Sequence, residues 1–288
     1  MQVLSLAQAI PGEQDFIVGS IKSMRPTSVG LFFGGQMKWL FLAMILPTFA
    51  FSTVKNIDYK VGDLTLKSKL VLPQKTDGKK VPVVVLFPDW MGNGDFLLER
   101  AKEIAKLGYA ALAADVYGDG KLAKDVKEAA KLAGALKEGK REELRKRVKA
   151  GIDNAKLQKE VDATKVVAIG YCFGGTSVLE HARSGEALAG VVSFHGNLDT
   201  QSPGTKFNTK LLVLHGAIDP YVKKEDIDQF KDELTKAKAD YQWIEYSGAV
   251  HSFTNPQAGN DISKGAAYNQ LADKRSWEHF KDFLEEVF

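Results

Sequence analysis

The chain of 288 residues is 44% hydrophobic and 26% charged, proportions that are typical of a soluble globular protein with one large core. Its 39 basic and 36 acidic residues give a formal charge of +3, and this balance argues against a protein that binds nucleic acid. The single cysteine excludes a disulfide within the chain, and no spacing of cysteines or histidines indicates a metal site.

The segment "KWLFLAMILPTFAFS", residues 38–52, resembles a secretory signal peptide. Lys38 precedes an almost wholly apolar run of 13 residues, whereas a helix that spans a membrane needs about 20. Ala50 and Ser52 are small residues at the positions that signal peptidase would require for cleavage before Thr53. The pattern therefore favours export over a membrane span.

A signal peptide begins at a chain terminus, so this segment would be complete if Met37 were the true start. We predict an N-terminal extension, residues 1–52, that contains a signal-peptide-like segment, residues 37–52. The mature chain would be exported to the periplasm or secreted, without stable insertion in a membrane. Two alternatives remain: a membrane-anchoring or disordered arm, and a cytoplasmic protein if the segment is not a signal peptide.

From residue 53 onward, strand patterns alternate with helix patterns. Two alternating runs around Gly62-Asp63 predict a β-hairpin over residues 58–73. Continuous apolar runs predict buried strands, and apolar residues at helical spacing predict the helices between them. The strands predicted after the hairpin are 81–89, 109–118, 166–171, 188–196, 210–220 and 241–248, and the predicted helices are 96–108, two within 121–160 that are broken near Gly139, one after residue 172, 224–239 and 274–288.

This alternation predicts one α/β domain over residues 53–288, with a mostly parallel central sheet and helices on both faces. In such a sheet, reactive side chains belong at the carboxyl ends of the strands. Three candidates stand at predicted strand ends: Cys172, Asp219 and His251. Their order is that of an α/β-hydrolase triad, and "GYCFG" matches the motif G-x-S-x-G with cysteine in place of serine.

Each member of this predicted triad has a definite chemical role. Cys172 is the nucleophile, and the N-terminus of the following helix favours its thiolate form. His251 is the general base and later the general acid, and Asp219 fixes the tautomer of its ring. The backbone N–H groups of Phe173 and Trp90 are the predicted oxyanion hole.

Each residue also has a simpler interpretation. A lone cysteine is usually a small buried hydrophobe, "HGAIDP" is compatible with a plain turn, and His251 with a loop histidine. His195 and His215 are interpreted as structural, and His181 and His279 as packing or surface residues of helices. The joint order and strand-end placement of the three candidates favour the triad.

The segments "GYCFGG", "LHGAIDPYV", "GAVHSF" and "LGYAALAADVYG" resemble the dienelactone hydrolase (carboxymethylenebutenolidase) family of the α/β-hydrolase fold. The resemblance covers about residues 54–288. It implies hydrolysis of a small ester, thioester or lactone through an acyl-cysteine intermediate, with no metal and no organic cofactor.

Three positions depart from the family's pattern. The family typically places a glutamate after the first buried strand, where it pairs with the nucleophilic thiol, and here the shorter Asp89 would take that gating role. Two arginines that bind the substrate carboxylate in the family are replaced by Asp119 and Asn255, which argues against a dienelactone substrate. Arg100 or Lys121 is an alternative source of positive charge.

Three functions compete on this evidence. The first is a cysteine-dependent hydrolase of a small ester, thioester or lactone. The second is a non-catalytic protein of the same fold that binds a small molecule or a partner. The third is an esterase or peptidase that acts on esters of the cell envelope. The presence of all three triad residues favours an enzyme.

Overall fold

The computed structural model describes residues 52–288, and the segment 37–51, on which the export prediction depends, lies outside them. The strands of the described residues are β1 (Thr53–Val61), β2 (Leu64–Leu72), β3 (Val81–Phe87), β4 (Ala110–Ala113), β5 (Val161–Tyr171), β6 (Gly190–Phe194), β7 (Lys210–Gly216) and β8 (Tyr241–Tyr246). They form one eight-stranded sheet with the order β1-β2-β4-β3-β5-β6-β7-β8. The first two strands form the antiparallel hairpin, β2 pairs antiparallel with β4, and all other pairs are parallel.

Helices cover both faces of this sheet, as the alternation of patterns predicts. They are α1 (Asp95–Lys106), α2 (Val126–Lys137), α3 (Glu142–Lys156), α4 (Phe173–Arg183), α5 (Lys224–Lys236) and α6 (Gln270–Val287). Apolar side chains of α2, α3, α4 and α5 share one core cluster with the sheet, and those of α1 and α6 share the other. The central strands are buried on both sides because each face packs against helices.

The predicted α/β-hydrolase fold is therefore confirmed, with differences at the ends of elements. The strand predicted over 109–118 keeps only the four residues of β4, because the chain then turns away at Asp115, whose carboxylate accepts N–H groups of Tyr117, Gly118 and Gly120. The break near Gly139 is confirmed by a left-handed φ of 56° between α2 and α3. Within residues 52–288, none of the helices combines the length and the hydropathy that a membrane crossing requires.

Candidate active site

Cys172 lies at a sharp turn between β5 and α4. Its φ of 54° and ψ of −113° are unfavourable for a residue with a Cβ, and α4 begins at the next residue. The N-terminal N–H groups and the positive dipole end of α4 therefore face Cys172. Strain of this kind is characteristic of functional positions, because the surrounding structure must hold it in place.

The glycines around Cys172 are required by close approach rather than by a left-handed φ. A Cβ on Gly170 would lie 2.0 Å from the Gly174 oxygen, and one on Gly174 would lie 2.1 Å from the Phe87 oxygen. A Cβ on Gly175 would lie 2.9 Å from Cα of Gly196. The turn thus packs backbone against backbone, which explains its run of small residues.

The structure brings the three predicted triad residues together. His251 Nε2 lies 3.0 Å from Cys172 Sγ, and His251 Nδ1 lies 2.8 Å from Asp219 Oδ2. Asp219 follows β7, and its Oδ1 accepts the Tyr221 N–H at 2.9 Å, so the carboxylate is held from both sides. The ring of His251 and the carboxylate of Asp219 are buried. In this geometry the His251 ring can exchange a proton with the thiol, while the Asp219 carboxylate holds the opposite ring nitrogen and can stabilise the imidazolium.

The surroundings of His251 favour its charged form. Burial by itself lowers the pKa of His251, but the negative charge of Cys172 and the hydrogen bond to Asp219 outweigh it and raise the pKa to about 10. A positively charged histidine beside a cysteine sulfur stabilises the thiolate as one half of an ion pair.

Phe173 and Trp90, whose backbone N–H groups are the predicted oxyanion donors, lie on two different segments beside Cys172. Within residues 52–288, neither Phe173 nor Trp90 donates its backbone N–H to a protein acceptor. Phe173 is the first residue of α4, and Trp90 lies in the loop after β3. Both residues line the same cavity as Cys172.

Asp89 lies in this cavity but is turned toward its own loop. Its Oδ1 accepts the N–H of Met91 at 2.8 Å. Burial raises the pKa of Asp89, against the hydrogen bond from Met91 and the positive charge of His251. Within residues 52–288, the hydrogen bond of the Cys172 thiol goes to His251 and not to Asp89.

A cavity of about 560 Å³ is lined by Cys172 and His251. Its lining is largely apolar and includes Trp90, Val126, Phe173, Tyr221 and Ala266. This size suits a small organic ligand.

One lysine, Lys137, also lines the cavity, and its Nζ lies 5.9 Å from the centre of the Phe173 ring. In the described part of the chain Lys137 forms no ion pair within 4.0 Å. The sequence does not single out this residue, because lysines spread along helical segments usually belong to a solvated face.

The two basic residues suggested by the sequence lie elsewhere. Arg100 is bound to Asp273 at 2.5 Å, to Glu103 at 3.0 Å and to the Thr254 carbonyl at 2.9 Å. Lys121 pairs with Glu128 at 3.3 Å. Neither lines the cavity, so the sequence-based suggestion that Arg100 or Lys121 supplies charge there is wrong.

The two positions where the family has arginines also differ in placement. Asn255 lines the cavity, and its side chain accepts the N–H of Gln257 at the start of a short 3-10 turn. Asp119 is exposed, has a φ of 53°, and lies 3.8 Å from Lys67.

Of the other histidines, His181, His195 and His215 are buried and His279 is partly buried, and one of them contacts Cys172. His215 packs on Trp243, and His279 bonds the Tyr246 hydroxyl at 2.8 Å. His195 instead accepts the backbone N–H of Cys172. Within residues 52–288, no group of three or more His, Cys, Asp or Glu side chains is arranged to hold a metal ion.

Comparison with known proteins agrees with this architecture. Residues 66–288 match the model of the "Dienelactone hydrolase family". An uncharacterized protein of Caenorhabditis elegans is 34% identical over 150 residues, which cover 50% of this chain and 94% of the relative.

Two solved structures are similar over most of their length. A protein named m3DLH has 40% sequence identity and a TM-score of 0.78, with 82% of this chain and 99% of that chain covered. A dienelactone-hydrolase-like promiscuous phosphotriesterase from metagenomic libraries has 36% identity and a TM-score of 0.77, over 82% of this chain and 99% of that chain. This chain therefore belongs to the dienelactone hydrolase family and is a hydrolase of ester or lactone bonds with the α/β-hydrolase fold.

Proposed function

We propose that the protein cleaves a small ester, thioester or lactone through an acyl-cysteine intermediate, with Cys172 as the nucleophile, His251 as acid and base, and Asp219 as its partner. The observation that carries the proposal is the position of the His251 ring, 3.0 Å from the thiol sulfur and 2.8 Å from the carboxylate. Membership of a family of hydrolases counts against the non-catalytic alternative.

Acylation begins with the ion pair between Cys172 and His251. The thiolate attacks the substrate carbonyl carbon, a C–S bond forms, and the carbonyl electrons move to the oxygen. The N–H groups of Phe173 and Trp90 stabilise that oxyanion. When the oxyanion collapses, the C–O bond to the leaving group breaks, and the imidazolium of His251 gives its proton to the departing oxygen.

Deacylation uses the same groups in the opposite order. Neutral His251 takes a proton from water, and the resulting hydroxide attacks the thioester carbon. The second tetrahedral intermediate expels the Cys172 thiolate and releases the carboxylic acid. Asp219 keeps Nδ1 of His251 protonated throughout, so that Nε2 always faces the sulfur or the water.

The lining of the cavity supports a substrate with an apolar body and a negative charge. Most of the surface is apolar, while the ammonium group of Lys137 introduces a positive charge that no acidic side chain within 4.0 Å offsets in the described part of the chain. A carboxylate or similar anion on the substrate would pair with it. Asp89, which lines the same cavity as Cys172, would keep the gating role toward the thiol that its position after β3 suggests.

The test is hydrolysis of p-nitrophenyl acetate by the wild type and by Cys172→Ala, with the intact mass recorded during turnover. The expected result is loss of activity in the variant and a 42 Da acetyl adduct on the wild type, roughly the mass of one acetyl group replacing hydrogen. Full activity in Cys172→Ala would mean that the nucleophile lies elsewhere. A folded wild type with an unreactive thiol would favour the non-catalytic alternative.

We also propose that residues 37–52 direct export and are removed before Thr53. The first strand begins at Thr53, so cleavage there would leave the described fold whole. Mass spectrometry of the native protein tests this, because a mature N-terminus at Thr53 is expected. A peptide from residues 1–36 would contradict the start at Met37, and an unprocessed chain in the cytoplasm would contradict export.

A further inference from the structure

A buried histidine outside the triad contacts the backbone of the nucleophile. His195 follows β6 with a φ of 42°, and its N–H donates to the Leu214 oxygen of β7 at 2.8 Å. Its ring Nδ1 accepts the N–H of Cys172 at 3.1 Å. The same N–H lies 3.0 Å from the Phe194 oxygen, so Cys172 is held by two acceptors at once.

These contacts define the tautomer of the His195 ring. A backbone N–H only donates, so Nδ1 must be unprotonated and the ring proton must lie on Nε2. Nε2 lies 2.8 Å from the Thr254 hydroxyl oxygen, which is a suitable acceptor. Burial, and next the positive charge of His251, hold the pKa of His195 well below its usual value. The ring therefore stays neutral, with Nδ1 free to accept.

The same ring connects two segments that carry catalytic groups. Thr254 is the third residue after His251, and both are buried in the loop that follows β8. The carbonyl of Thr254 accepts a hydrogen bond from Arg100 at 2.9 Å, which holds this loop against α1. The rings of His195 and His251 meet edge to face with 5.2 Å between their centres.

We propose that His195 is a positioning residue, whose neutral ring is held by Thr254 in the Nε2–H tautomer and holds the Cys172 backbone in the strained conformation that places Sγ against His251. The inference rests on the proposed function, since it assigns a role in a reaction that uses Cys172. His195 does not line the cavity, so it acts on catalysis only through the placement of the thiol.

Two substitutions at His195 distinguish the role of Nδ1 from the role of Nε2. In His195→Asn, the side-chain oxygen takes the place of Nδ1, and asparagine tolerates a positive φ. In His195→Gln, the terminal amide reaches the place of Nε2 and leaves no acceptor at Nδ1. We expect His195→Gln to lower kcat by about tenfold to a hundredfold, with KM unchanged. We expect His195→Asn to recover most of that loss.

A buried histidine of α4 supplies the control. His181 is buried to a similar extent but does not contact Cys172, so His181→Gln measures the cost of losing a buried ring. It should lower Tm and leave kcat unchanged. Equal losses of kcat in His195→Asn and His195→Gln, or full kcat in His195→Gln, would overturn the inference, because a packing role makes no distinction between the two nitrogens.

The tautomer can be measured without any substrate. Nitrogen-15 shifts of the wild-type imidazoles, with the His195 signals assigned from their loss in His195→Asn, should show a protonated Nε2 and an unprotonated Nδ1. Thr254→Val should disturb these shifts and lower kcat, and Thr254→Ser should preserve both. A protonated Nδ1 in the wild type would refute the inference.

Alkylation of Cys172 separates this inference from the proposed function. The rate with iodoacetamide depends on the placement and ionisation of Sγ, and it needs no turnover. Slower alkylation in His195→Gln than in His195→Asn supports the positioning role, and equal rates contradict it. Retained hydrolysis by Cys172→Ala would refute the proposed function instead.

Discussion

The close approach of α4 to the end of β3 can be tested with a single methyl group at Gly174. A Cβ at this position would lie 2.1 Å from the Phe87 oxygen and 2.7 Å from the Pro88 oxygen. Both oxygens belong to the backbone just before the loop of Asp89 and Trp90. No side chain can rotate to relieve the contact, so the start of α4 and the end of β3 must move apart.

The size of the movement follows from the geometry. Ordinary contacts begin at 3.4 Å, so the methyl group at 2.1 Å must withdraw from the Phe87 oxygen by about 1.3 Å. Phe173 and Trp90, the proposed oxyanion donors, belong to the two segments that separate. A misplacement of about 1 Å costs roughly a hundredfold in rate, or about 2.7 kcal/mol of transition-state stabilisation. Overpacking should also lower the free energy of unfolding by about 1–3 kcal/mol.

The assay compares Gly174→Ala with Gly134→Ala in ester hydrolysis and thermal unfolding. Gly134 lies on α2, and a Cβ there meets no atom within 4 Å. Gly134→Ala should raise the free energy of unfolding by about 0.5–1 kcal/mol and leave kcat unchanged. A folded Gly174→Ala with the wild-type kcat would refute the reasoning, since the oxyanion donors would then not depend on this contact.

Three further predictions concern the triad and the cavity. Cys172→Ser should keep the wild-type Tm but lose most of its kcat, because a helix N-terminus and His251 cannot maintain an alkoxide at neutral pH; a serine variant with the wild-type rate would contradict the thiolate mechanism. Lys137→Met should raise KM by about tenfold for an ester that carries a carboxylate. KM for a neutral ester of the same size should stay unchanged, and equal increases of KM for both esters would exclude a charge interaction. His251 is charged in the folded protein up to a pKa of about 10, above its ordinary 6.5, so its contribution to stability is complete below pH 6.5 and is lost as the pH rises toward 10. Denaturant unfolding from pH 6.5 to 10 should show the free energy of unfolding falling in the wild type. The fall should be smaller in Cys172→Ala, which lacks the negative charge that favours the imidazolium of His251. Identical pH profiles would mean that Cys172 is not the source of this stabilisation.

Local patterns were sufficient to predict the order of elements and the residues at the carboxyl ends of the strands. Buried strands of a parallel sheet are continuous apolar runs, and the glycines around Cys172 mark a turn where backbones meet. Because parallel strands end at one edge, Cys172, Asp219 and His251 were expected to lie together, and the structure places them within hydrogen-bond distance. This part of the site follows from short-range patterns and a general rule of topology.

Only tertiary packing decides which charge lies in the cavity and which side chain contacts the backbone of Cys172. Lys137 and Arg100 are both basic residues of helices, and only the packing of α2 and α1 puts the first in the cavity and the second in contact with Asp273. His195 was interpreted as structural because it precedes a glycine at an expected buried position, and its contact with Cys172, 23 residues earlier, is not visible in the sequence. A side chain's partner depends on the neighbouring strands and loops, and residues this far apart in sequence meet only when the sheet has formed.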